Sequence, residues 1–246
     1  MTYEAEKIRP YGESTEPKGA QVEKMFDAIA RQYDLLNHTL SFGLDFYWRK
    51  KGLFALKDKR PAVILDIATG TGDLAIQAFR HLRPEKIVGI DLSEGMLQIG
   101  QEKVAEAGLS AQITMEAQDC MNLSFEDNSF DAVMVAFGVR NFENPDRGLQ
   151  EILRVLKPGG RLMILELSSP EHFPVKQGYQ IYSKWIIPMI GWWLSKSKEA
   201  YTYLPHSIAA FPQNEAMKRM LEANGFRDVY YKKLSLGICG LYVGEK

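Results

Sequence analysis

The residues best suited to chemistry lie in the run DIATGTGD at 66–73 and at Asp91. Gly70 and Gly72 follow an apolar segment, VILDI at 63–67, and glycine there lets the backbone turn tightly and approach a ligand. Asp91 ends a second such segment, KIVGID at 86–91, 19 residues beyond Gly72. A carboxylate at that distance is placed to accept hydrogen bonds from two ribose hydroxyls, so the pattern points to a cofactor containing adenosine. Two cofactors compete. Gly70, Gly72 and Ala75 satisfy a GxGxxA reading, which suits the NAD of a dehydrogenase. Asp66 and Asp73 flank the loop with negative charge, which suits the sulfonium and ammonium of S-adenosyl-L-methionine better than a pyrophosphate dianion.

These residues need a scaffold, and short apolar runs supply it. They recur at 63–67, 86–91, QITME (112–116), DAVMVAF (131–137) and RLMILEL (161–167), separated by stretches of helical periodicity. Runs without clean polar alternation predict a parallel sheet covered on both faces, a doubly wound α/β fold. The helix with Leu149, Ile152, Leu153 and Leu156 is predicted to stop at Pro158-Gly159-Gly160. VYYKKLSL (229–236) and ICGLYVG (238–244) meet at Gly237 and predict an antiparallel hairpin, which completes seven strands.

Residues 20–57 are expected to form N-terminal helices, with Val22, Met25, Phe26, Ile29 and Tyr33 at helical spacing. Residues 1–19, polar and broken by Pro10, Gly12, Pro17 and Gly19, predict a mobile arm with nothing to pack. Residues 170–212, interrupted by prolines and rich in aromatics, predict an insertion over the carboxyl edge of the sheet, where ligand sites form. With 246 residues, the chain from 20 to 246 is expected to make one domain.

Composition excludes several classes of function. Lys and Arg number 30 against 31 Asp and Glu, so no overall charge drives binding to nucleic acid. Cys120 and Cys239 match neither a CxxC pair nor a disulfide framework, and no His/Cys/Asp cluster has metal-ligand spacing. The first 25 residues carry charges throughout and no apolar leader, which predicts a cytoplasmic protein.

Longer motifs are more specific. YDLLNHTLSFGLDFYW (33–48) and RVLKPGGRLMILELS (154–168) closely resemble the two signature segments of the quinone C-methyltransferases of the UbiE and MenG family, and FGVRN (137–141) and YTYLPHSIAAFP (201–212) are similar to further family segments. The resemblance runs from about residue 20 to 245. It implies a class I S-adenosylmethionine-dependent methyltransferase fold and C-methylation of a prenylated quinol. By position it implies that Thr71 contacts the cofactor, Asp91 holds its ribose, and Asp119 and Cys120 border its adenine. The sequence departs from the family pattern at Asp45, where the signature usually has His, at Leu36, usually Met, and at Ala136, where some relatives have Ser. Asp45 weakens any scheme that needs an imidazole base at that position.

Methyl transfer to carbon needs an electron-rich ring, so the quinol must begin to lose a phenolic proton as the methyl arrives. Arg140, leaving the fourth strand, is the candidate to stabilise the developing phenolate, and Asn141 could orient the same oxygen. His206 is the candidate neutral base if 201–212 folds over the site. Tyr201 and Tyr203 are candidate walls of the substrate pocket. YLPHSIAAFP resembles the menaquinone branch of the family more closely, which implies demethylmenaquinol, with a ubiquinone precursor or dual specificity as alternatives; an NAD-dependent dehydrogenase and a non-catalytic adenosyl-binding scaffold are the rivals from other classes. Trp185 to Leu194, WIIPMIGWWL between lysines, is too short to span a bilayer and suggests transient peripheral contact at the inner face of the membrane. A homo-oligomer is compatible with all of this.

Overall fold

Alternate residues of each central strand point to opposite faces of one sheet, and both faces are dry. The structure, a computed structural model, describes residues 3–12, 14–186, 189 and 198–246. The strands are β1 (Val63–Ile67), β2 (Lys86–Asp91), β3 (Ile113–Ala117), β4 (Phe130–Ala136), β5 (Leu156–Leu167), β6 (Arg227–Leu234) and β7 (Cys239–Glu245). They lie in the order β3-β2-β1-β4-β5-β7-β6. The first five pair in parallel, and β7 runs antiparallel between β5 and β6, with Val243 opposite both Met163 and Tyr230.

The helices are α1 (Glu4–Lys7), α2 (Lys18–Leu40), α3 (Leu44–Phe54), α4 (Asp73–Leu82), α5 (Glu94–Glu106), α6 (Pro145–Val155), α7 (Val175–Ile181), α8 (Lys198–Ala210) and α9 (Glu215–Ala223). Ile64, Ile87, Met134 and Met163 pack with Trp48 of α3, Leu74 of α4 and Leu97 of α5. Their neighbours Leu65, Val88, Val133 and Ile164 pack on the other face with Ile152 of α6 and Leu221 of α9. Burial on both faces is why the sequence shows apolar runs rather than polar alternation. Met25, Ile29 and Leu36 of α2 join Tyr201 and Tyr203 of α8 in a third cluster. The strand order reverses between β1 and β4, so their following loops diverge and leave a crevice at the carboxyl edge.

Two sequence expectations change. The segment before residue 20 has partners: Ala5 is 1% exposed, and the Tyr3 hydroxyl donates to Asp146 Oδ1 at 2.9 Å. Lys18 is as deeply buried as Ala5, and its ammonium donates to the carbonyls of Ala5, Arg140 and Phe142 at 2.9, 2.9 and 3.2 Å. A polar composition hid this because the packing uses one alanine and one lysine instead of an apolar stripe. Secondly, α6 ends at Val155 and the KPGG segment belongs to β5, with Gly159 at φ +74°. The expectation for Trp185 to Leu194 lies mostly outside the described residues, which include only Trp185, Ile186 and Met189 of that run.

Candidate active site

The loop after β1 is shaped by two left-handed glycines, Gly70 at φ +56° and Gly72 at φ +78°, the second opening α4. Asp91, at the end of β2, fixes that loop. Its Oδ2 accepts from the Gly70 N–H at 2.8 Å and its Oδ1 from the Ser93 N–H at 3.0 Å. Burial pushes the Asp91 carboxyl above its ordinary pKa even though both N–H groups oppose the shift.

Gly70 and Asp91 line a cavity together with Asp119, Cys120, Asn141 and the α2 residues Gly19 and Phe26. Asp119 lies beyond β3, where its Oδ1 accepts from the Met121 N–H at 2.9 Å. The Cys120 thiol is buried and its pKa is raised by that burial, so it is neutral at physiological pH.

These residues suit an adenosyl group. Each oxygen of Asp91 retains a lone pair beyond the backbone bond it accepts, enough for two ribose hydroxyls. A Cβ at Gly70 would stand 3.9 Å from the Tyr33 ring, inside the space that both residues line.

A second, apolar cavity adjoins the first and shares Phe26, Tyr33 and Phe137 with it. Tyr201, Tyr203, Tyr179 and Tyr182 close it on the side of α7 and α8, and Asp45, Trp48 and Arg49 of α3 close it on another. Trp48 meets Phe137 edge-on with ring centroids 6.1 Å apart and donates from Nε1 to Ser235 Oγ at 2.8 Å. The Tyr182 hydroxyl donates to the Leu40 carbonyl at 2.6 Å, joining the rim to α2.

Arg140 lines the apolar cavity from a 3-10 turn, Val139–Asn141. Its Nη1 donates to Glu166 Oε1 at 2.6 Å and to the Phe137 carbonyl, and Glu166 Oε2 accepts from the Arg140 N–H at 3.2 Å. Burial alone would lower its basicity, but the groups around it, Glu166 foremost, together outweigh that and hold the guanidinium charged. Its Nε is buried with no hydrogen-bond partner. Asn141 sits in the wall of the polar cavity, and its Oδ1 accepts from the Tyr203 hydroxyl at 3.1 Å. Burial pushes the Tyr203 and Tyr179 hydroxyls up to about 12, against the opposing charge of Arg140.

Several expectations do not hold. His206 is exposed and lines neither cavity, because α8 turns Tyr203, Ser207 and Ile208 inward and leaves position 206 on its solvent side with Thr202 and Ala209. Thr71 is buried, but its hydroxyl donates to Asp34 Oδ1 at 2.6 Å and it is absent from the polar cavity wall. Asp66 also lies off the wall, accepting from the Thr69 hydroxyl at 2.6 Å. Gly72 is absent from the wall too, and a Cβ there would lie 3.4 Å from Met115 Sδ. Asp73 also lies off the wall, paired behind the loop with Lys103, which it shares with Asp34. Neither flanking carboxylate therefore faces the cofactor cavity, and the strand and loop placement carries the adenosyl reading instead.

Sequence reasoning also missed an ionic network behind the loop. His38 Nδ1 lies 2.8 Å from Asp45 Oδ2, and its Nε2 lies 3.5 Å from Asp73 Oδ2. Asp45 also accepts from Ser41 and Arg49. Burial raises its pKa, but Ser41, Arg49 and His38 outweigh that and hold the carboxyl below the usual range. The imidazole that position 45 lacks thus stands directly across from it. Lys103 continues the network to Asp34 at 2.8 Å.

Comparison with known proteins agrees with this geometry. Over its full 246 residues the chain is 54% identical to a demethylmenaquinone methyltransferase of Bacteroides fragilis, covering 100% of both sequences. It is 43% identical over 230 residues to a protein of Geobacter sulfurreducens named ubiquinone/menaquinone biosynthesis C-methyltransferase UbiE, covering 93% of this chain and 90% of that one. Its fold matches a SAM-dependent methyltransferase of Thermotoga maritima with a TM-score of 0.61 at 19% identity, covering 91% of this chain and 99% of the other. A SAM-dependent methyltransferase of Aquifex aeolicus matches at a TM-score of 0.52 and 23% identity, over 75% of this chain and 82% of that one. The family model for ubiE/COQ5 methyltransferases matches residues 14–246, and with the sheet order and paired cavities already in place, the chain belongs to the ubiE/COQ5 methyltransferase family.

Proposed function

We propose that the chain methylates a ring carbon of a prenylated demethylmenaquinol, taking the methyl group from S-adenosyl-L-methionine. The observation that carries this reading is the common wall of the two cavities. Phe26, Tyr33 and Phe137 border both the space beside Asp91 and the more apolar space beside Arg140. A cofactor in the first and an aromatic ring in the second would meet at that wall, as in-line transfer requires. The 54% identical relative carries the name demethylmenaquinone methyltransferase, which supports the menaquinone branch.

S-adenosyl-L-methionine, when bound, supplies an electrophilic methyl on a sulfonium. Asp91 and Asp119 would hold the nucleoside by accepting from its ribose hydroxyls and its adenine amino group. Arg140, charged and buried, would face the quinol oxygen on which negative charge grows as its proton leaves, and the field of a guanidinium in a dry wall favours that charge. Its unpartnered Nε is the donor left over for the task. With that donor bound, the ring carbon would gain the methyl as the S–CH3 bond breaks, the hydrogen on that carbon would leave as a proton, and the oxygen would take a proton back to restore the quinol. Tyr33, Tyr179 and Tyr203 would pack against the ring and exclude water. Transient contact with a membrane belongs to the same proposal, since the substrate's prenyl tail resides there.

Purified protein given S-adenosyl-L-methionine carrying a labelled methyl should place the label on carbon of a short-chain demethylmenaquinol. Absence of labelled product from that quinol, with cofactor binding intact, would overturn the reading. Label on a short-chain ubiquinone precursor instead would move the substrate to the other branch.

A further inference from the structure

The solvent side of α3 is built the wrong way round for a face that meets only water. The helix buries Asp45, Trp48, Arg49, Gly52 and Leu53. Its exposed residues are Leu44, Phe46, Tyr47, Lys50, Lys51 and Phe54. An ordinary surface helix turns charged and small polar groups outward; here four of the six are large apolar or aromatic residues and the other two are lysines. The lysines lie over the rings: Lys51 Nζ is 5.5 Å from the Tyr47 centroid, and Lys50 Nζ is 6.0 Å from that of Phe54.

The turn before α3 extends this face. Phe42 is 79% exposed and has φ +52°, a left-handed conformation that strains a bulky residue. Strain of this kind persists where the surroundings or a function require it, and a ring standing in water gains no packing in return. Phe42 lies 5.9 Å from the Tyr182 ring. Three residues on, Trp185 is exposed with Lys184 Nζ 5.8 Å above its ring.

Charge identifies the partner. The segments 35–57 and 172–186 contain one acid, Asp45, which is buried against Arg49 and His38, and the acids that border them, Asp34, Asp58 and Glu171, are paired with Lys103, Arg161 and Lys233. Exposed Lys50, Lys51, Lys57, Lys176 and Lys184 remain, on a chain whose net charge is only -1. Aromatic and apolar groups interleaved with lysines and free of acids match the headgroup zone of an anionic leaflet. The face is also continuous with the apolar cavity: Leu40, Ser41 and Tyr182 line that cavity and border Phe42. No described helix is long and apolar enough to cross a membrane.

We infer that the exposed face of α3, with Phe42 and Trp185 at its edge, docks on an anionic lipid bilayer and turns the mouth of the apolar cavity toward lipid. The inference rests on the quinol reading for its purpose, but not for its test. Full-length protein is sedimented with vesicles of phosphatidylcholine alone or with added phosphatidylglycerol, and turnover is measured separately on a short-chain quinol without vesicles. The parent should bind the anionic vesicles in a salt-sensitive way. Lys50→Glu/Lys51→Glu should lower that partition by at least about tenfold, Lys50→Arg/Lys51→Arg should retain it, and short-chain turnover should stay at the parent level in both. Phe42→Ser/Phe46→Ser should weaken binding at every salt concentration. Parent protein that ignores anionic vesicles, or charge-reversed and serine variants that bind like the parent, would overturn the docking surface. Failure of the parent to methylate the short-chain quinol would instead overturn the substrate reading while the vesicle result stands.

Discussion

Tyr203 and Asn141 tie the two cavities together: the tyrosine stands in the apolar wall, the asparagine in the polar wall, and the hydroxyl of one donates to Oδ1 of the other at 3.1 Å. The two residues lie 62 positions apart, on α8 and in the turn after β4, so the bond also fastens the cover to the sheet.

Tyr203→Phe removes that bond while keeping the ring. Turnover should fall about tenfold, the scale of one buried hydrogen bond, with cofactor affinity nearly unchanged. Steady-state kinetics beside cofactor calorimetry checks this, and an unchanged turnover would mean that the bond only braces the fold.

Asp91→Ala should weaken S-adenosyl-L-methionine by roughly 2–3 kcal/mol, because bonds to a charged acceptor are lost and the Gly70 and Ser93 N–H groups are left without their acceptor. Calorimetry on the folded variant measures it directly, and parent-like affinity would remove Asp91 from the ribose.

Arg140→Ala should lower turnover at least about a hundredfold. It also strands Glu166 in the interior, which by itself costs about 3–5 kcal/mol of stability. Adding Glu166→Gln should recover much of that stability without restoring turnover. Recovery of both by the double variant would assign Arg140 a structural role only.

Asp66 gives a pH dependence with a definite sign. Burial raises its carboxyl to about 7 despite the Thr69 hydroxyl. A folded-state pKa above the unfolded value means that the folded protein holds the proton more tightly. The resulting stabilisation is complete below about pH 4 and is lost as the pH rises through 7. Denaturant titrations of the parent should show this loss relative to Asp66→Asn, and parallel profiles for the two proteins would refute it.

What the sequence revealed follows from where each residue sits. Asp91, Asp119, Arg140 and Asn141 all follow strand ends, and a strand end is visible wherever an apolar run stops. Gly70 was legible for the same reason. Lys18 and Lys103 were not, since each acquires its role from partners far off in sequence: Lys18 from carbonyls at 140 and 142, and Lys103 from acids on α2 and α4. His206 misled because histidine is chemically suggestive, while the helical phase of α8 decides which way it faces. Thr71 and Asp73 sit beside the glycines in sequence, yet their side chains are committed to Asp34 and Lys103 behind the loop.

Trp48 carries an optical consequence. Its indole is buried in the wall of the apolar cavity, edge-on to Phe137 and held by Ser235. Quinones quench indole emission at close range, so the protein has a built-in fluorophore at the place where a quinone ring would rest. Occupancy could then be followed by light alone, with no methyl donor present and no chemistry under way, separating the arrival of the ring from everything done to it afterwards.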